Sequence, residues 1–228
     1  MSLYISIISL IFYSCLIYYT IKKGKKDIIS ITFLIYLIFM FVWSFGAVNL
    51  LMGNRPGDMF WETFLLYGSS SFVFIFYHFL LEYLGSKRIK IKIIFSYIAL
   101  LFVWVLNSNH LIVESIYIDD NYNPVYETGK GALITSILGI LYFALCFYEI
   151  FKTIREKRAL WKKVNLIFIA LCLMIIAMTL NFTTLGQSPM NIIIRIINAL
   201  LISYSIYRFR FLSISVTLKK GIMYTLFA

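Results

Sequence analysis

Apolar positions run along this chain in long unbroken stretches, interrupted only by short charged or Gly/Pro-containing breaks. Seven stretches predict helices, over residues 2–21, 28–52, 59–84, 91–106, 132–151, 164–185 and 190–207. Each is about the length needed to cross roughly 30 Å of hydrocarbon at 1.5 Å per residue. The runs are too long and too uniformly apolar for the alternating strands of a barrel, so the only way left to satisfy every backbone group in lipid is the helix. Between the fourth and fifth helices the pattern changes. A β-branched and aromatic run, 112–118, meets the turn-rich Asp119-Asp120-Asn121-Tyr122-Asn123-Pro124 and then Val125-Tyr126-Glu127-Thr128, which predicts a small β-hairpin over one mouth of the bundle.

Composition agrees with the pattern. Of 228 residues, 61% are hydrophobic and 14% charged, against about 45–50% and 25% in soluble domains. Seven spans and short loops consume the length, leaving no room for a sizeable soluble catalytic domain. Cys15, Cys146 and Cys172 all sit within apolar runs, where thiols are usually inert, and no disulfide is expected. The first stretch has no Lys or Arg before it and no small-residue cleavage pattern after it, so it is read as a retained span.

A net charge of +11 would suggest nucleic acid in a soluble protein; here its position matters more than its size. All but three of the 21 Lys and Arg fall on one side, in 22–26, 87–92, 152–163 and 208–220. The exceptions are Arg55 and Lys130 on the other side and Arg195 within a span. By the positive-inside rule the N-terminus and the hairpin are outside and the tail after Tyr207 is cytoplasmic. The expected fold class is therefore an all-α integral membrane protein, a seven-transmembrane-helix bundle with a small extracellular β-hairpin between helices four and five. Residues 1–207 form the membrane domain. Residues 208–228 form a cytoplasmic connector, read either as an amphipathic surface helix or as the start of an eighth membrane helix.

The order of features resembles the N-terminal seven-helix sensor region of bacterial sensor histidine kinases. The resemblance rests on Trp43 in the second span, the run 76–85 (Phe76 to Gly85) closing the third, Asn107-Ser108-Asn109-His110 opening the long loop, Tyr126 and Gly129 ending it, and the run 207–214 (Tyr207 to Ile214) after the seventh. It implies a multi-pass protein of the bacterial inner (plasma) membrane that receives a small-molecule or peptide signal and relays it to cytoplasmic output domains. These 228 residues contain no catalytic histidine segment, ATP-binding domain or Gly-rich phosphate loop, so this chain is not expected to be an enzyme, although the parent protein is expected to be a kinase. Expected partners are membrane lipid, the signal and the output domains. A homodimer is left open, and no nucleic acid or cofactor is expected.

Ionisable groups within spans are costly and invite a functional reading. Asn191, Arg195, Asn198, Ile202 and Ser205 recur at i, i+4, i+7, i+11 and i+14, one stripe of the seventh helix, which is expected to face inward. Glu62 lies at similar depth in the third span. The two are expected to interact and to lie in an outward-opening ligand cavity with Asn49, Asn181 and Asn198 nearby; the structural alternatives are a buried ion pair that only fixes helix register, or Arg195 snorkelling to the outer surface. His78 and Glu82, at i and i+4, form a second polar pair near the inner leaflet. Two ligands are too few for an ordinary metal site, so no metal is expected.

Other functions fit less well. A retinal protein needs a lysine deep in its seventh span, and none is present. A eukaryotic-type seven-helix receptor would carry Asp-Arg-Tyr after the third span and a cysteine pair joining its outer loops; both are missing. An intramembrane enzyme needs more reactive groups at one depth than His78 and Glu82 supply. A small-molecule or ion transporter stays as the alternative, although the three prolines all lie in loops and no inverted repeat is apparent.

Overall fold

The structure, a computed structural model, describes residues 3–23, 27–118, 124–156, 161–180 and 192–206. Within these, α1 (Leu3–Lys23), α2 (Ile28–Leu51), α3 (Asp58–Leu84) and α4 (Ile89–Ser108) precede two strands, β1 (Val113–Ile118) and β2 (Pro124–Thr128), followed by α5 (Lys130–Glu156) and α6 (Trp161–Leu180). The last described helix is α7 (Ile192–Ile206). α1 to α5 are each long and apolar enough to cross a membrane, while α7 and the apolar part of α6 are shorter. The connector 208–228 lies outside the described residues.

Local signals explain the boundaries. Asp27 opens α2, its carboxylate accepting from the Ser30 amide at 2.9 Å in place of the missing helical partner. Gly85 closes α3 in the left-handed conformation at φ 62°, and the Ser86 amide reaches back to the Leu81 carbonyl, which turns the chain directly into α4. In the hairpin, β1 and β2 pair antiparallel with an irregularity between Val113 and Ser115. Its Ile116 packs against a cluster of Ala47, Leu50 and Leu65 at the adjoining ends of α2 and α3.

α3 is the hub. In its most apolar stretch 67% of positions are buried, against 39% in α2 and 28% or less in α1, α4 and α5. Phe74, Ile75, Phe76, Phe79, Leu80 and Leu81 form the centre of the core. On α4 the pattern of a soluble helix is inverted, with Ile91, Ile94, Phe95, Ile98, Leu101, Phe102 and Val105 exposed and Ser96 and Asn107 buried. Apolar side chains outward and polar ones inward suit lipid as the solvent.

Two glycines allow α3 to lie directly on α2. A Cβ at Gly68 would stand 2.6 Å from the Trp43 backbone nitrogen and 2.7 Å from the Phe39 carbonyl oxygen, and one at Gly46 would stand 2.9 Å from the Leu65 Cα. Small residues at such crossings let backbones approach where no hydrophobic force drives helices together. A series of polar contacts joins α3 to α4: Asn107 to the Thr63 carbonyl, Tyr67 to Ser108, Trp104 to Ser71, Ser96 to the Phe74 carbonyl and His78 to Tyr97. Each is worth about 0.6 kcal/mol on average in a membrane, so together they exceed any one packing contact.

Candidate functional site: a buried arginine on an aromatic floor

The inward stripe of α7 gives the site its position. Asn198 is 2% exposed and Ile202 and Ser205 are fully buried, whereas Asn191 and Asn181 lie outside the described residues. One turn nearer the hairpin end, the Arg195 guanidinium is enclosed although the residue as a whole is only partly buried. It rests on the Trp43 ring, its central carbon 2.9 Å from the ring centroid. Trp43 sits where Gly68 brings α3 against the α2 backbone, so the floor beneath the arginine is fixed by a close helix crossing.

Around this stack is a cavity of about 30 Å³, lined by Tyr36, Met40, Trp43, Phe72, Met174, Ala177, Arg195 and Asn198. The Arg195 charge also acts on the hydroxyls of Tyr13 and Tyr36. Those two hydroxyls and Asn198 Oδ1 are buried without a hydrogen-bond partner. Buried polar groups nearly always have partners, and a cavity needs only about 10–15 Å³ to hold a water.

Glu62 does not complete this site. The expected Glu62 to Arg195 ion pair is not formed: among the described residues the ion pairs are His78 with Glu82 and Lys92 with Glu149. The reason lies in geometry. Equal depth does not imply a shared face, and Arg195 is taken by Trp43 while Glu62, 3% exposed, keeps one carboxylate oxygen unpartnered. Glu62 belongs with the hairpin instead. Burial of the polar end of Tyr126 raises its phenol above its ordinary pKa, and the Glu62 carboxylate adds to that shift. Asn49 is also engaged elsewhere, donating to the Phe45 carbonyl and accepting from Asn54 near the end of α2.

Magnitudes identify the unusual member. An arginine at a helix centre costs about 2.5–3.5 kcal/mol on insertion scales, and a desolvated cation–π contact returns about 2 kcal/mol. The stack therefore offsets much of the cost and leaves the charge itself uncompensated. At the lysine-rich end, by contrast, the fully buried Glu149 of α5 accepts from Lys92 at 2.5 Å and from Ser86 at 2.6 Å. Sequence reasoning passed over this triad, although an acidic residue inside the fifth apolar run was a visible signal. It also quoted Trp43 without reading it as the arginine's partner. His78 and Glu82 face each other at 3.8 Å, with His78 Nδ1 against the Tyr97 hydroxyl at 2.9 Å. No cluster of three metal-ligating side chains occurs among the described residues.

α7 also makes contact at its other end. Ser205, the penultimate residue of α7, hydrogen-bonds the Tyr83 hydroxyl of α3 at 3.0 Å. The same short helix thus touches α2 through Arg195 and α3 through Ser205.

A family described as the N-terminal 7TM region of histidine kinase matches residues 5–215. The chain belongs to that family. No curated protein and no solved structure matches it. Membership makes this a multi-pass membrane region of the kind that stands ahead of a histidine kinase.

Proposed function

We propose that this chain is the membrane-embedded input region of a two-component sensor histidine kinase, with α7 as the element that carries the signal. The observation that carries the proposal is the double attachment of α7: Arg195 stacked on Trp43 toward the hairpin end, Ser205 bonded to Tyr83 toward the lysine-rich end. A ligand shifts an equilibrium only by its differential affinity for two states. Occupation of the Arg195 cavity changes what holds one end of α7, and a tilt or slide of this helix moves the 208–228 segment that leads toward the output domains. The hairpin, which carries Tyr126, serves as a lid or receptor surface over Glu62. The charge distribution supports an N-terminus outside and a cytoplasmic tail; labelling of Glu156 rather than Asn121, each replaced by cysteine, from outside intact cells would reverse it.

The test of the relay uses the full-length parent protein. Arg195→Met keeps length and removes charge, and the midpoint of signal-dependent kinase output is expected to move at least about fivefold, the lower end of ordinary allosteric coupling. Normal membrane insertion with unchanged amplitude and midpoint would make Arg195 structural and remove α7 from the mechanism.

A further inference from the structure

We propose that the cavity beside Arg195 binds a monovalent anionic group, either a small free anion or the carboxylate head of a larger molecule. This rests on the sensor reading for its use but not for its chemistry, which follows from four observations.

First, Arg195 has no carboxylate partner among the described residues. Of the ten acidic residues all but Asp119 and Asp120 are described, and none of those described lies within ion-pair distance of it. The stretch 181–191 that leads into α7 contains no Asp or Glu. Second, Trp43 covers one face of the guanidinium and leaves its N–H edges unclaimed by any acceptor among the described residues. A planar fork of donors is the geometry that matches a carboxylate or a similar anion.

Third, the neighbouring polar groups supply further donors. The Tyr36 hydroxyl lines the cavity, is buried with no partner among the described residues, and can turn its proton toward an acceptor. Asn198, which also lines the cavity, presents an unpartnered Oδ1, and rotating its amide by half a turn presents its NH₂ instead. Fourth, the space suits one small group. A cavity of about 30 Å³ holds a halide or a carboxylate head and excludes a bulky polyol. Water alone would satisfy the hydroxyl and the amide while leaving the positive charge in place; an anion does both. A cation is excluded by Arg195, and a neutral apolar guest would leave the Tyr36 hydroxyl and Asn198 Oδ1 unpaired.

The experiment takes the full-length parent protein in nanodiscs of zwitterionic lipid. Gluconate is replaced at constant ionic strength by chloride, nitrate, formate or acetate, and thermal unfolding is followed by loss of the monodisperse species. The expected result is a saturable rise in the unfolding midpoint with at least one small anion. It is lost in Arg195→Met and kept in Lys90→Gln, which removes an exposed charge in the first turn of α4, remote from the cavity. Should Arg195→Met fail to insert, Arg195→Lys decides the matter: it retains the charge but not the fork, and its affinity is expected to fall about tenfold. Equal saturable shifts in wild type and in the Arg195 variants would place the anions on the basic loops and overturn the site, as would the absence of any saturable shift. Affinity that rises from formate to butyrate to decanoate identifies the head of a larger carboxylic acid; affinity that falls with chain length identifies a free small anion. Kinase output recorded over the same titration separates the two proposals. Binding without a change in output keeps the anion site and removes the sensor reading at Arg195, whereas an output change independent of anion does the reverse.

Discussion

The two ends of this bundle treat buried charge in opposite ways. At the lysine-rich end, Glu149 is held by Lys92 and Ser86, with Lys92 also donating to Ser86, so the carboxylate and its partners form a closed set. At the hairpin end, Glu62 is buried and Arg195 is partly buried, and neither has an ionic partner among the described residues. A closed set fixes the register of α4 against α5 whatever is bound elsewhere. An open one has an energy that depends on what enters from outside the fold. The difference teaches where rigidity ends and responsiveness begins: protein supplies the counter-charge on one side and leaves it to be supplied on the other.

That contrast can be broken or sharpened by substitution, with stability read from denaturant unfolding in one detergent. Lys92→Met should have the largest effect, about 3–5 kcal/mol, because it leaves Glu149 buried and unpaired. Adding Glu149→Leu should recover most of the loss, and a cost below about 1 kcal/mol in the single variant would show that Glu149 is not held as described. Gly68→Ala comes next at about 1–3 kcal/mol, since its Cβ would meet the Trp43 and Phe39 backbone and force α3 off α2. It should also disturb the Arg195 stack, visible as a change in near-ultraviolet circular dichroism. Ser205→Ala removes one interhelical hydrogen bond and should cost about 0.6 kcal/mol, with about 1.7 kcal/mol as a ceiling. Glu62→Gln should change stability least, by less than about 0.5 kcal/mol in either direction, because it removes no ion pair. A loss as large as that of Lys92→Met would mean that Glu62 has a charged partner and that the two ends are alike.

The helices were legible in the sequence because lipid leaves the chain little choice. The α3 run from Asp58 to Leu84 and the α5 run from Lys130 to Glu156 extend the predicted ranges by only a few residues at either end. Pairings between helices were not legible, because hydropathy reports depth and not azimuth. Glu62 and Arg195 were matched by depth, and the rotation of α3 and α7 about their axes kept them from pairing. Trp43 was lost among many aromatics at interfacial positions. Its role depends on Gly68, twenty-five residues away, whose missing Cβ is a fact of packing that no single-chain periodicity displays. Glu149 was the avoidable omission, since an acid inside a predicted span requires a partner by the same argument that drew attention to Arg195.

One feature of α3 bears on how the protein is made. It has the lowest hydropathy of the five long spans and the greatest burial, with Glu62, Ser71 and His78 all turned inward. A segment of that kind gains least from contact with lipid alone and most from its neighbours. The ribosome delivers those neighbours immediately before and after it: α2, shaped to receive it at Gly46 and at the Trp43 and Phe39 backbone that faces Gly68, and α4, which carries the answering Trp104, Tyr97 and Asn107. Partition of α3 out of the translocon is therefore a cooperative act of a three-helix unit, and weakening either flank would retain in the channel a span whose own sequence had not changed.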